Sequence, residues 1–205
     1  MITTLEELQL HTERWAVEAP IIAKYILLAS PGYSKEQLAK LTESLPGISE
    51  SYLDCVAKLK LKSVMLNGFS LWPEWLGEKS DMLDEIIYAN TSYKNPLLKL
   101  YQSKKLYEVA SYEGDSICIA STITDEPGYV YWLDRSSGPD IEINRMCDSF
   151  EKFLLCAGNL QDVATKHHDE DNKESAVREF VEALKVMQLD DEETKSWESI
   201  AKMSL

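Results

Sequence analysis

Along the first sixty positions, apolar residues recur at the three-and-four spacing of helices. Leu5, Leu8, Thr12 and Trp15 share one face behind Thr3 and Thr4, with Glu6 and Glu7 at capping-box distance, so a first helix runs to about Val17. Pro20 suits the first turn of a second helix. There Ile21, Ile22, Tyr25, Ile26 and Leu28 are apolar on more than one side, which predicts a core element ended by Pro31 and Gly32. Ser34, Lys35, Glu36 and Gln37 form a capping box ahead of Leu38, Leu41 and Leu45. Pro46 and Gly47 stop that helix, and Ser49 caps another carrying Tyr52, Leu53, Val56 and Leu59.

From residue 64 the period changes. Val64, Met65 and Leu66, then Asn67 and Gly68, then residues 69–72 read as two short strands around the strongest of short hairpin turns. Trp72, Pro73, Glu74 and Trp75 form an aromatic lid over the edge of the core. Ser80 or Asp81 caps a short helix through Leu83, Ile86 and Ile87, Asn95 and Pro96 break the chain, and residues 107–110 supply a strand.

The stretch 106–155 organises the rest. Residues 116–120 and 129–133 read as strands, with Asp125, Glu126, Pro127 and Gly128 turning between them and Ser136, Ser137, Gly138 and Pro139 turning after them. Asp148 and Ser149 then cap a helix whose Phe150, Phe153, Leu154 and Ala157 lie on one face. Residues 161–175 are polar, with almost nothing to bury, and predict a linker or a solvated helix end. Val177, Phe180, Val181 and Leu184 return to helical spacing, and Asp190 or Asp191 caps a last helix with Trp197, Ile200 and Ala201, either packed back on the sheet or serving a partner. The fold expected is α+β: an antiparallel meander packed against N-terminal and C-terminal helices, with one domain over 1–160 and an acidic linker and helical extension over 161–205.

Composition narrows the function. With 44% hydrophobic and 27% charged residues the chain is of globular type, and its 205 residues suffice for a sizeable core. Its net charge of -14 repels phosphates and draws cations or basic proteins, which argues against nucleic acid as a partner. Cys55, Cys118, Cys147 and Cys156 are scattered among apolar neighbours as buried thiols would be in a reducing compartment. The first residues are acidic where a signal peptide is basic, and the apolar run 21–29 is interrupted by Lys24 and too short to span a membrane. A cytoplasmic location is the expectation, with no membrane partner.

Chemistry-bearing patterns are weak. His167 and His168, followed by Asp169, Glu170 and Asp171, offer metal-ligand types, yet adjacent side chains on a helix diverge by about 100° and the i, i+4 spacing is missing. His11 has no nucleophile context, the eight glycines never cluster into a phosphate loop, and acidic pairs arise from composition alone. The expectation is a protein without cofactor, metal or catalytic residues; a metal-dependent hydrolase is the remote alternative.

Several stretches together resemble the SUKH superfamily, which groups fungal regulators of cell-wall assembly with bacterial immunity proteins. They are Glu113, Gly114 and Asp115; Ile117, Cys118 and Ile119; Gly128, Tyr129, Val130, Tyr131, Trp132, Leu133 and Asp134; and Asp148, Ser149, Phe150, Glu151, Lys152, Phe153 and Leu154. The Ser-Phe-x-x-Phe-Leu helix is the most specific of these. The helix, Leu-Pro corner and helix with Tyr52 also resemble the family's N-terminal half, so the likeness spans 34–157. It departs where Leu59, Lys60, Leu61 and Lys62 continue without the Gly-rich turn typical there, which predicts a remodelled joint between helices and sheet. The resemblance implies a non-catalytic immunity protein that binds and neutralises a cognate bacterial toxin with a basic surface, of nuclease type. An intracellular regulatory scaffold is the alternative on the fungal side.

Candidate partner-binding residues follow from the strand period. Tyr129, Tyr131 and Leu133 share one face, and Val130, Trp132 and Asp134 the other. Asp125, Glu126, Asp134, Asp140 and Glu142 lie in or beside turns and are expected to be exposed. With Tyr129 and Tyr131 they make the candidate set.

Overall fold

The computed structural model describes residues 1–77, 80–135, 140–168 and 173–205. Helix α1 (Leu5–Glu18) starts at Thr4, whose hydroxyl accepts from the Glu7 backbone N–H, while the Glu7 carboxylate reaches back to Thr3 rather than to the cap itself. Its buried face is the expected one, Leu5, Leu8, Thr12 and Trp15. The second helix is a correction: α2 covers only Ala23–Ile26, Ile21 is 92% exposed and Ile22 and Leu27 are exposed too, so only Ile26 and Leu28 of that run enter the core. The apolar run is too short to hold a helical face, and the Thr12 hydroxyl draws the Leu28 N–H into extended backbone instead.

Helix α3 (Lys35–Ser44) carries the full Ser34–Gln37 capping box. Helix α4 (Glu50–Lys58) begins at Ser49 as expected, but that hydroxyl bonds to Ser51 and not to a backbone N–H. Beyond α4 the chain is extended, and Lys60 bridges Ala29, its N–H donating to the Ala29 carbonyl at 2.8 Å.

Six strands form one antiparallel sheet in sequence order: β1 (Met65–Leu66), β2 (Phe69–Ser70), β3 (Leu106–Tyr112), β4 (Asp115–Ala120), β5 (Val130–Asp134) and β6 (Glu142–Cys147). Positive φ at Asn67 and Gly68 makes the tight β1–β2 turn, and β2 ends at Ser70, sooner than expected. The sixth strand was not expected at all. Between β2 and β3 come α5 (Met82–Thr91), capped by Asp81, and α6 (Leu98–Lys104), a helix that starts just after the break at Asn95 and Pro96.

One sheet face carries most of the helices. α7 (Phe150–His167), capped by Ser149, lays Phe150 and Phe153 on it, and Phe69, Phe153 and Trp197 meet with ring centroids 5.2–5.8 Å apart. The polar stretch after residue 160 has more to bury than expected: α7 runs through it to His167, and Val163 and Asp162 are buried, Asp162 accepting from Arg14 at 3.2 Å and pairing with Lys166 at 2.7 Å. α8 (Lys173–Leu184) and α9 (Asp191–Ser204), the latter with a full Asp190–Glu193 capping box, send Phe180, Trp197 and Ile200 into the same core as α1 and α4. Trp197 Nε1 donates to the Met146 carbonyl at 3.0 Å, so the last helix docks on β6. The fold is α+β, as expected. No helix among the described residues is long and apolar enough to cross a membrane.

Candidate functional site

The opposite face is only half covered. α6 closes the β3–β4 half, where Tyr101, Leu106, Cys118, Ala120 and Leu133 make a second, smaller apolar cluster. Tyr129, Tyr131, Ile141 and Ile143 pack at its margin and remain half-buried. Register explains why these residues share a face. Glu108 stands opposite Cys118, Cys118 opposite Tyr131, and Tyr131 opposite Arg145, a row across four strands. Bulges at Val109 in β3 and Met146 in β6 shift the alternation, so that Val109 with Ala110, and Met146 with Cys147, all face the helical core while Glu108 and Arg145 stay on this face.

At the margin of this smaller cluster lies a groove of about 660 Å³. Leu106, Ala120, Tyr131 and Ile143 line its floor and sides, with Thr124, Asp125 and Glu126 on the rim and Lys104 also in the lining. The loop that carries the rim acids is held at several points. Thr122 N–H donates to Gly47 O at 2.8 Å, Thr124 N–H to Ser121 O at 3.1 Å, and Gly128 N–H to Ala120 O at 3.0 Å, Gly128 having the positive φ that this return requires. A loop so tied is a preformed surface.

Beside the groove, Arg145 gathers charge. Its Nη1 donates to Glu126 Oε1 at 2.9 Å and its Nη2 to the Asp190 carboxylate; Glu192 lies 3.4 Å away and Glu193 3.9 Å. The guanidinium also stands 5.5 Å from the Tyr129 ring centroid. Burial works against its charge, yet the carboxylates outweigh burial and raise its pKa. The Tyr131 hydroxyl donates to Glu126 Oε2; burial first, and that bond second, push this hydroxyl up.

Of the candidate residues, the structure brings Asp125, Glu126, Tyr129 and Tyr131 together. Asp134, Asp140 and Glu142 do not join them. Asp134 is a correction: it is only 6% exposed, on the helix-packed face with Trp132. Glu142 and Asp140 are exposed as expected, Glu142 opening β6 opposite Asp134 and Asp140 standing before that strand. The expected turn at 136–139 falls outside the described residues. Arg145, Lys104 and Ile143 were missed; the alternation of Ile141 and Ile143 ahead of Met146 and Cys147 was the available sign of a strand that would have aimed them.

The two histidines find separate neighbours. His167 Nε2 meets Glu179 at 2.8 Å and His168 Nδ1 meets the Thr165 carbonyl at 3.1 Å, while Asp169, Glu170 and Asp171 lie outside the described residues. Among the described residues no three His, Cys, Asp or Glu are grouped to hold a metal. All four cysteines are buried free thiols.

No family model matches the chain, and neither a curated protein nor a solved structure does.

Proposed function

We propose that this chain is a non-catalytic binding protein of the immunity type, which neutralises a protein toxin by occupying its basic surface with the groove on the half-open sheet face. The observation that carries the reading is the groove itself: an apolar and aromatic floor on a rigid sheet, rimmed by carboxylates on a loop already fixed by backbone hydrogen bonds. Such a surface binds with little ordering cost. The net charge of -14 steers a basic partner to it and repels nucleic acid. The resemblance of residues 34–157 to SUKH proteins supplies the class of partner, a delivered toxin of nuclease type, and the cytoplasm as the place of encounter.

The test is genetic and then physical. The reading frame next to this one is expected to encode a large secreted protein with a toxin domain, and co-expression of the present chain rescues growth from that domain. Asp125→Lys slows the association and weakens its salt dependence. Rescue without a physical complex, or turnover of any substrate lost on changing one groove residue, would sink the proposal.

A further inference from the structure

The two rim acids differ in what they still have to offer. Both oxygens of Glu126 are taken inside the molecule, Oε1 by Arg145 and Oε2 by Tyr131. Asp125 is exposed and has no ion pair or hydrogen bond among the described residues. Lys104, which lines the same groove, is likewise exposed and unpaired among the described residues, whereas its neighbour Lys105 donates to Ile123 O at 3.4 Å. The same groove is lined by the apolar Leu106, Ala120 and Ile143.

We infer that Asp125 and Lys104 are the partner-facing charges of this groove, and that its occupant is a dipolar peptide segment of the partner, with a basic side chain for Asp125 and an acidic one for Lys104. The inference rests on the binding reading above and sharpens it. A purely basic patch laid over the groove satisfies Asp125 but desolvates Lys104 opposite like charge, which costs free energy on binding. An occupant with both signs pairs both charges, and its methylenes cover Leu106, Ala120 and Ile143. Glu126 acts instead as a positioning residue, holding the rim through Arg145 and Tyr131.

The probes are three capped hexapeptides of glycine and leucine carrying either one arginine and one glutamate, two arginines, or two glutamates, titrated into the full chain and followed by backbone amide shifts. The arginine–glutamate peptide is expected to move the amides of Lys104, Asp125 and Tyr131 and to bind about fivefold more tightly than either other peptide, the size of one or two exposed ion pairs. Asp125→Lys or Lys104→Glu alone abolishes that preference. The double variant restores it, because the segment then fits reversed. Equal binding of the two-arginine peptide, shifts centred on Arg145, or no recovery in the double variant would overturn the inference. Where toxin capture persists in that case, the inference alone falls; where toxin capture also fails, the reading beneath it falls as well.

Discussion

The hydroxyl of Tyr101 lies 3.0 Å from the Glu108 carboxylate and 2.7 Å from the Ser116 hydroxyl, joining α6 to β3 and β4 beneath the covered half of the outer face. Trp75 Nε1 at 3.3 Å and Asn95 Nδ2 at 3.4 Å donate to the same carboxylate oxygen, and Asn90 clamps the backbone of Glu108 on both sides. Glu85, wholly buried, accepts the backbone N–H groups of Trp75 and Leu76. The aromatic lid expected from Trp72 to Trp75 is thus fastened by two buried acids.

Burial pushes the Glu108 carboxyl up to about 7, against the donors that would lower it. The folded chain therefore holds this proton more tightly than the unfolded chain, whose carboxyl titrates near 4.5. Below pH 4.5 the group's contribution is fully present; it is lost as pH rises through about 7. Tyr101 and Cys118 beside it are pushed well above neutral and keep their protons throughout that window. Glu108→Gln removes the titration, so the difference in unfolding free energy between variant and wild type is expected to shift by about 3 kcal/mol in the variant's favour from pH 4.5 to pH 8. Urea titrations at half-unit pH steps measure this. A constant difference would mean that the carboxyl titrates normally.

The backbone of Ile2 is bonded to a single side chain of α7. Asn159, in the middle of α7, accepts from the Ile2 N–H at 2.9 Å and donates to the Ile2 carbonyl at 2.8 Å. Asn159→Ala leaves both backbone groups unsatisfied in a buried place, at a cost of about 2 kcal/mol. Faster amide exchange in residues 2–8 accompanies the loss. Unchanged exchange there would show that α1 is held by its apolar face alone.

Local chemistry was legible in the sequence and tertiary choices were not. The caps at Thr4, Ser34, Ser149 and Asp190 and the turn at Asn67 and Gly68 depend on side chains within a few residues of each other, so their pattern survives without the fold. Tyr129 and Tyr131 were placed on one face by period alone. Glu108 and Arg145 were invisible because bulges in β3 and β6 break that period. Asp134 reads as a turn acid until β6 and the helical side close over it, and residues 161–167 read as a linker until Arg14 arrives from α1 to pair with Asp162.

Arg145 neutralises the meeting point of the groove loop and the start of α9, and removing it leaves Glu126, Asp190, Glu192 and Glu193 facing one another. Three of these acids are well exposed, so solvent screens much of the repulsion and Arg145→Ala is expected to cost about 1–2 kcal/mol at low salt. The deficit shrinks as salt is raised to 0.5 M. Arg145→Lys recovers only part, because a single ammonium cannot serve Glu126 and Asp190 with separate nitrogens. A deficit independent of salt would place the effect in packing on Tyr129 instead.

Trp197 is the sharpest probe of whether the C-terminal helices are part of the same cooperative unit as the sheet. Its ring meets Phe69 from the first hairpin, Phe153 from α7 and Phe180 from α8, and its indole N–H is spent on β6. Trp197→Ala empties a fully buried site bordered by four elements, and the expected loss is about 3–5 kcal/mol. If α8 and α9 unfold with the sheet, fluorescence and far-ultraviolet circular dichroism of the variant fall in one coincident urea transition at a lower midpoint. An early partial transition that spared the sheet, with the main midpoint unmoved, would show instead that the last two helices are an appended unit.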